Sequence, residues 1–211
     1  MTSIKELVDL HSPITEKDLV IDVGGYQGDY AQAVFERFGC IVVVFEPNAE
    51  IYEALVKRFN DNPKIQCNPM AIGGESGLEK LYLREDGSSF FQEWAGTNEW
   101  RGVAVGRLSD FVKFAKIIPK IVKLNCEGAE YDIIKELDES GCLPQINELL
   151  VQLHKIPNWF TLRLKAEERL SKTHVKTYDY KWQLWKRKEI NQVIGTISGQ
   201  NTAGELIPQM S

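Results

Sequence analysis

Apolar positions in this chain fall into short unbroken runs separated by stretches of helical periodicity, the alternation of a parallel α/β sheet. Leu19 to Val23 is apolar except for Asp22. Ile41 to Phe45 is apolar throughout, as a strand covered on both faces must be. Between them Tyr30, Val34 and Phe38 form one stripe with Ala31 and Phe35 beside it, and Gly39 stops the helix. Asn48 caps the next helix, whose inward stripe is Ile51, Leu55 and Phe59, and Asn60-Asp61-Asn62-Pro63 closes it. A third strand follows over 64–67. Ahead of these elements Ile4, Leu7 and Val8 share a face, predicting a short helix within residues 1–17 that Pro13 ends.

The rhythm breaks over residues 75–106. Leu78 to Leu83 and Gly102 to Arg107 predict short strands around a polar loop that carries Gly87-Ser88-Ser89 and Trp94 to Trp100. An excursion of this length is expected over the mouth of a site, because long connections in compact domains are commonly functional. Ser109 is read as the cap of a short helix over 111–115. Ile121 to Leu124 is the next strand of the main sheet, followed by a helix marked by Ile133, Ile134 and Leu137 and stopped by Gly141. Glu148 to Leu153 is the fifth. An amphipathic helix over 159–170 leads to two runs, His174 to Tyr180 and Trp182 to Lys188, that predict an antiparallel hairpin at the sheet edge. A polar tail, 195–211, ends the chain. The expectation is one α/β domain over 1–211, with helices on both faces of a mostly parallel sheet.

The chemistry gathers where the strands end. The turn Asp22-Val23-Gly24-Gly25-Tyr26-Gln27-Gly28 joins the first strand to its helix, and glycines there let the backbone approach a ligand closely. The helix after Gly28 points its free N–H groups at the same place. Glu46, at the end of the second strand, can accept hydrogen bonds from both hydroxyls of a ribose. A dinucleotide site would read G-x-G-x-x-G, with room for a pyrophosphate. Here Gly24 and Gly28 are four residues apart and Asp22 precedes them, which suits an ammonium better than a phosphate. S-adenosylmethionine (SAM) has an adenosine, a ribose diol and an amino-acid tail, and fits this pattern; an NAD-dependent oxidoreductase fits it less well. Met70 and Ala71, past the third strand, would border the adenine. Asn125 and Glu127 end the strand beside the first and face the reactive end of the cofactor, with His154 at the end of the fifth strand. Lys123 lies within its strand and is read as structural or ion-pairing.

Composition narrows the partners. The chain has 211 residues, 43% hydrophobic and 26% charged, ordinary for a soluble domain. A net charge of −5 disfavours nucleic acid or an anionic membrane as a bulk electrostatic partner. No apolar run nears the ~20 residues that span a bilayer, and the N-terminus has no signal-peptide stretch. Cys40, Cys67, Cys126 and Cys142 form no C-x-x-C pair, so reduced thiols in a cytoplasmic protein are expected, with no zinc site. Lys186-Arg187-Lys188 reads as a charged edge strand protected against aggregation rather than a nucleic-acid patch.

The order of these pieces resembles the FkbM family of SAM-dependent methyltransferases over about residues 18–155. The residues that carry the resemblance are VIDVGGYQGDY (20–30), VVFEPN (43–48), AIGG (71–74), GSS (87–89), RLSDFV (107–112), VKLNCEGAEYDIIKEL (122–137) and VQLH (151–154). It implies a Rossmann-like class I methyltransferase fold, a seven-stranded sheet in the order 3-2-1-4-5-7-6 whose strand 7 is antiparallel. It also implies cofactor contacts from Asp22, Gly24, Gly25, Tyr26 and Gly28, ribose binding by Glu46 with Asn48 nearby, and adenine-side neighbours Met70, Ala71 and Ser89. The catalytic group it implies is His154, Glu127 and Asn125, with His154, or failing that Glu127, as general base. Position 125 is usually Asp in the family. The amide here weakens any case for a metal. The implied activity is O-methylation of a hydroxyl on a small molecule, sugar or glycan; a catalytically silent SAM-binding protein is the alternative.

Overall fold

A computed structural model describes residues 3–84, 87–115 and 117–189. The elements run α1 (Ile4–Asp9), β1 (Leu19–Val23), α2 (Asp29–Phe38), β2 (Ile41–Phe45), α3 (Ala49–Phe59), β3 (Ile65–Asn68), β4 (Ala71–Gly73), β5 (Gly77–Tyr82), α4 (Gln92–Ala95), β6 (Trp100–Arg107), α5 (Leu108–Phe114), β7 (Pro119–Leu124), α6 (Glu130–Glu139), a 3-10 turn (Leu143–Gln145), β8 (Glu148–Val151), α7 (Trp159–Thr173), β9 (His174–Asp179) and β10 (Gln183–Arg187).

Seven strands form the main sheet in the order β3-β2-β1-β7-β8-β10-β9. All neighbouring pairs from β3 to β8 are parallel, while β10 runs antiparallel to both β8 and β9. This is the 3-2-1-4-5-7-6 order of the class I fold, and the terminal hairpin stands where the two apolar runs placed it. β1 is central, between β2 and β7, so its C-terminal end opens into the crevice where an open α/β sheet binds ligands.

Alternation along the central strands divides the interior in two. Leu19, Ile21 and Val23 pack with Phe45, Val122, Leu124 and the buried faces of α5, α6 and α7. Val20 packs on the other face with Val42, Val44 and the residues of α1, α2 and α3. Both faces are therefore dry, which is why these strands read as unbroken apolar runs. Ser3 and Glu6 form a reciprocal capping box at α1, seating Leu7 and Val8 on the second core.

Some elements depart from the sequence reading. Ala71–Gly73, to which the sequence reading gave no secondary structure, is a strand; it pairs in parallel with β6, which pairs antiparallel with β5 in a separate three-stranded sheet. Three residues are too few for periodicity to register. The stretch from Trp94 to Trp100 is also not all loop, since α4 closes on Gly96 in the left-handed region and β6 already begins at Trp100. Ser109 lies inside α5 rather than capping it, and Arg107 holds the cap position without a side-chain hydrogen bond. The polar tail, 195–211, lies outside the described residues. The described cysteines form no disulfide, and among the described residues no helix is long and apolar enough to cross a membrane.

Candidate active site

A cavity opens at the C-terminal ends of β1, β2 and β7. Its wall includes Gly24, Tyr26, Glu46, Ala71, Asn125 and Glu127, all expected at the site. It encloses about 740 Å³ of empty space, part of it open solvent. Val23, Phe45, Pro47, Ile51, Ile72 and Leu81 supply apolar wall, and Gly87, Ser88, Phe90 and Cys126 complete it.

The floor is the glycine turn, which close approach makes obligatory. Gly24 has φ +76°, and a Cβ there would stand 1.9 Å from the Asn125 carbonyl oxygen. Gly28, at φ +84°, starts α2 without a side-chain cap, and a Cβ there would strike Leu55 and Phe59. Gly25 is equally confined, against Val44. Tyr26 takes a left-handed conformation, φ 47°, and directs its N–H to Glu46 Oε2 at 2.9 Å. Glu46 Oε1 accepts from the Asn48 N–H at 3.0 Å. Burial raises the Glu46 carboxyl above its usual value, against the opposing pull of those two N–H groups. Each oxygen keeps a lone pair for a further donor.

Asp22 is completely buried and does not reach the cavity wall. The β1–β7 register sets it beside Lys123, whose Nζ lies 2.8 Å from Asp22 Oδ1 and donates to the Gly24 carbonyl at 2.7 Å. The contact with Asp22 is close in distance but not aligned as a hydrogen bond, so Oδ1 has a charge partner and neither carboxylate oxygen has a donor. Burial raises the Asp22 carboxyl, opposed by Lys123. The ammonium that Asp22 was expected to receive from a ligand is thus supplied by the chain itself. Through Lys123 the Asp22 carboxylate is linked to the Gly24 carbonyl of the turn.

Glu127 is the carboxylate that reaches the cavity. It sits in the left-handed region, φ 51°, with its side chain 20% exposed. Its Oε1 lies 3.2 Å from His154 Nε2, and its Oε2 accepts from the Trp94 indole at 3.0 Å. Burial alone would raise its carboxyl; His154, Trp94 and the charge of Arg84 outweigh that and hold it below the usual range. Behind it His154 Nδ1 lies 2.9 Å from Glu130 Oε1. Burial opposes the charge on the His154 ring, but the two carboxylates prevail and push it up to about 9. Both ring nitrogens face carboxylates, Nδ1 toward Glu130 and Nε2 toward Glu127, which favours the charged form of the ring. His154 is absent from the cavity wall, whereas Glu127 is part of it. Glu130, the first residue of α6, also accepts from the N–H groups of Cys126 and Gly128, folding the loop around itself.

Other expected contacts lie behind the wall. Ser89 is buried, with its hydroxyl donating to the Glu127 carbonyl at 2.6 Å, and it is Ser88 that faces the cavity. Met70 packs against Gly106, and its neighbours Ala71 and Ile72 line the site instead. Asn48 caps α3 through its side chain. Gly25 and Gly28 shape the turn without lining the cavity. Phe90 and Trp94, which contribute from the excursion, were not singled out by the sequence; aromatic residues in an irregular loop carry no periodic signal.

The wall suits SAM. Glu46 offers acceptors for a ribose diol, and Asn125 Oδ1 is buried without a hydrogen-bond donor in the same wall. An orphaned acceptor there matches an ammonium or hydroxyl brought by a ligand. Among the described residues no cluster of three or more His, Cys, Asp or Glu is arranged to hold a metal.

The sheet order, with a crevice at the ends of its central strands, is that of the class I methyltransferase fold. A putative rRNA methylase from Clostridium thermocellum shares the fold at TM-score 0.55 and 12% identity, over 88% of this chain and 93% of that one. M. capricolum TrmK, bound to S-adenosylhomocysteine, matches at TM-score 0.50 and 12% identity, over 88% and 68%. A putative tRNA (m1A22) methyltransferase of Streptococcus pneumoniae, Sp1610, bound to SAM, matches at TM-score 0.50 and 12% identity, over 90% and 75%. No curated protein sequence matches the chain. The Methyltransferase FkbM domain matches residues 22–180, and the chain belongs to the FkbM methyltransferase family. Its cofactor is SAM.

Proposed function

We propose that the protein methylates a hydroxyl group of a small molecule or glycan, with Glu127 receiving the hydroxyl proton. The observation that carries this reading is the position of Glu127: a carboxylate in the cavity wall, kept ionised by His154 and Trp94, with lone pairs left over. SAM, when bound, supplies an electrophilic methyl group. Glu46 would accept from its ribose hydroxyls and Asn125 Oδ1 from its ammonium, while the Tyr26 and Asn48 N–H groups hold Glu46 in place. Glu127 would orient the acceptor O–H and take its proton as the oxygen becomes the nucleophile. His154 and Glu130 keep the Glu127 carboxylate at the wall, and Phe45, Ile72 and Phe90 exclude water.

Several of the fold neighbours are named as RNA methylases, but at about 12% identity they speak for the fold alone. The net charge of −5 supports a small neutral acceptor over a polyanion. The test is a screen of sugars, polyols, phenols and RNA with methyl-labelled SAM. A hydroxyl acceptor should be labelled, and Glu127→Gln should lose roughly 10²–10⁴-fold in turnover while still binding SAM. Labelling of RNA base nitrogens, or near-full turnover in the variant, would contradict the proposal.

A further inference from the structure

The segment that wraps the cavity is tied to Glu127 by more than packing. Gly87 passes so close that a Cβ there would lie 2.8 Å from Glu127 Cδ. Ser89 donates to the Glu127 main-chain carbonyl at 2.6 Å and accepts from the Phe91 N–H at 3.1 Å. Trp94, on α4, donates its indole N–H to Glu127 Oε2 at 3.0 Å, and its ring meets the His154 ring edge-on at 5.9 Å between centroids. Indole has one donor and no acceptor, so this hydrogen bond uses all of its polar capacity.

We infer that Trp94 is a positioning residue for methyl transfer: with His154 it grips the two oxygens of Glu127 and so fixes the orientation in which the carboxylate meets the acceptor. This rests on Glu127 acting at the acceptor, as proposed above. His154 alone is a poor anchor. Its contact with Oε1 is 3.2 Å, long for a charge-assisted pair, whereas its other nitrogen is held at 2.9 Å by Glu130. Without the indole, water entering from the cavity can take Oε2 and the carboxylate is free to turn away from the ring. The groups facing His154 are Glu127, Glu130, Gln152 and the Trp94 ring, and its own carbonyl accepts from the Tyr131 hydroxyl at 2.6 Å. Two carboxylates thus set its charge, and the Trp94 substitution should disturb one of them.

The experiment is an NMR titration of the full chain, which has only three histidines. In Trp94→Phe, which keeps an aromatic ring and loses the donor, the His154 midpoint should fall toward that of Glu127→Gln. The expected fall is about one pH unit or more, the size that losing a nearby opposite charge produces. His174 should be unmoved, and calorimetric SAM affinity unchanged. A His154 midpoint that stays or rises in Trp94→Phe would overturn the inference. Should that variant fail to fold, the wild-type Trp94 indole N–H resonance still decides: it should shift in Glu127→Gln, and an unmoved signal would overturn the inference. With an acceptor in hand, Trp94→Phe should lower kcat and leave the KM for SAM alone. A shifted titration together with full turnover in Glu127→Gln would instead keep the clamp and reject Glu127 as the proton acceptor.

Discussion

Asp22 and Lys123 form the most consequential pair of single residues in the molecule. Neither is more than a few per cent exposed, and the lysine bridges β1 to the carbonyl of Gly24. Removing one partner of a buried pair leaves an uncompensated charge, which costs more than the pair is worth intact. Lys123→Met should therefore destabilise the protein by about 3–5 kcal/mol in urea denaturation. Adding Asp22→Asn should recover part of that loss, because the stranded charge is gone. A loss in Lys123→Met too small to measure would mean that the pair is incidental. The sequence marked Asp22 as chemically important and Lys123 as structural or ion-pairing. It could not join them, because apolar runs reveal that β1 and β7 are strands without revealing their register.

At the scale of elements, the loop from Asn125 to Ala129 is shaped by charge as much as by glycine. Glu130 gathers two N–H groups of the loop and the His154 ring, so protonation of that ring is linked to folding. His154 is raised to about 9 from an ordinary value near 6.5. The sign follows from that direction: the stabilisation is fully present below about pH 6.5 and is lost as pH rises toward 9. Unfolding free energy should fall across that window in the wild type and fall less in His154→Gln. His174 does not interfere, since burial lowers it to about 4 and its contribution changes only below pH 6.5. Equal slopes in both proteins would show that the ring is not held charged. That His154 ends near the site was legible from its place after an apolar run. Its role was not, because the two carboxylates that flank it come from another strand's loop and helix.

For the molecule as a whole, the sheet was readable because both faces are buried, so each core strand carries a continuous apolar signal. The three-stranded excursion was half-readable. β5 and β6 are largely exposed, and β4, though buried, has only three residues. The site divided the same way. Gly24, Tyr26, Glu46, Ala71, Asn125 and Glu127 line the cavity, whereas Asp22, Gly25, Gly28, Asn48, Met70, Ser89 and His154 stand behind it, shaping the turn or holding other groups. A motif identifies which residues matter but not which of them face inward.

Glu46 is central to the proposed chemistry, as the ribose acceptor of a preformed SAM site. Calorimetric titration of wild type and Glu46→Ala with SAM and with S-adenosylhomocysteine tests this directly. Wild type should bind both, and the variant should lose roughly tenfold or more in affinity for each, since a hydrogen bond to a charged group is worth about 1.5–3 kcal/mol. Equal affinity in the two proteins, or no binding by the wild type, would contradict the account.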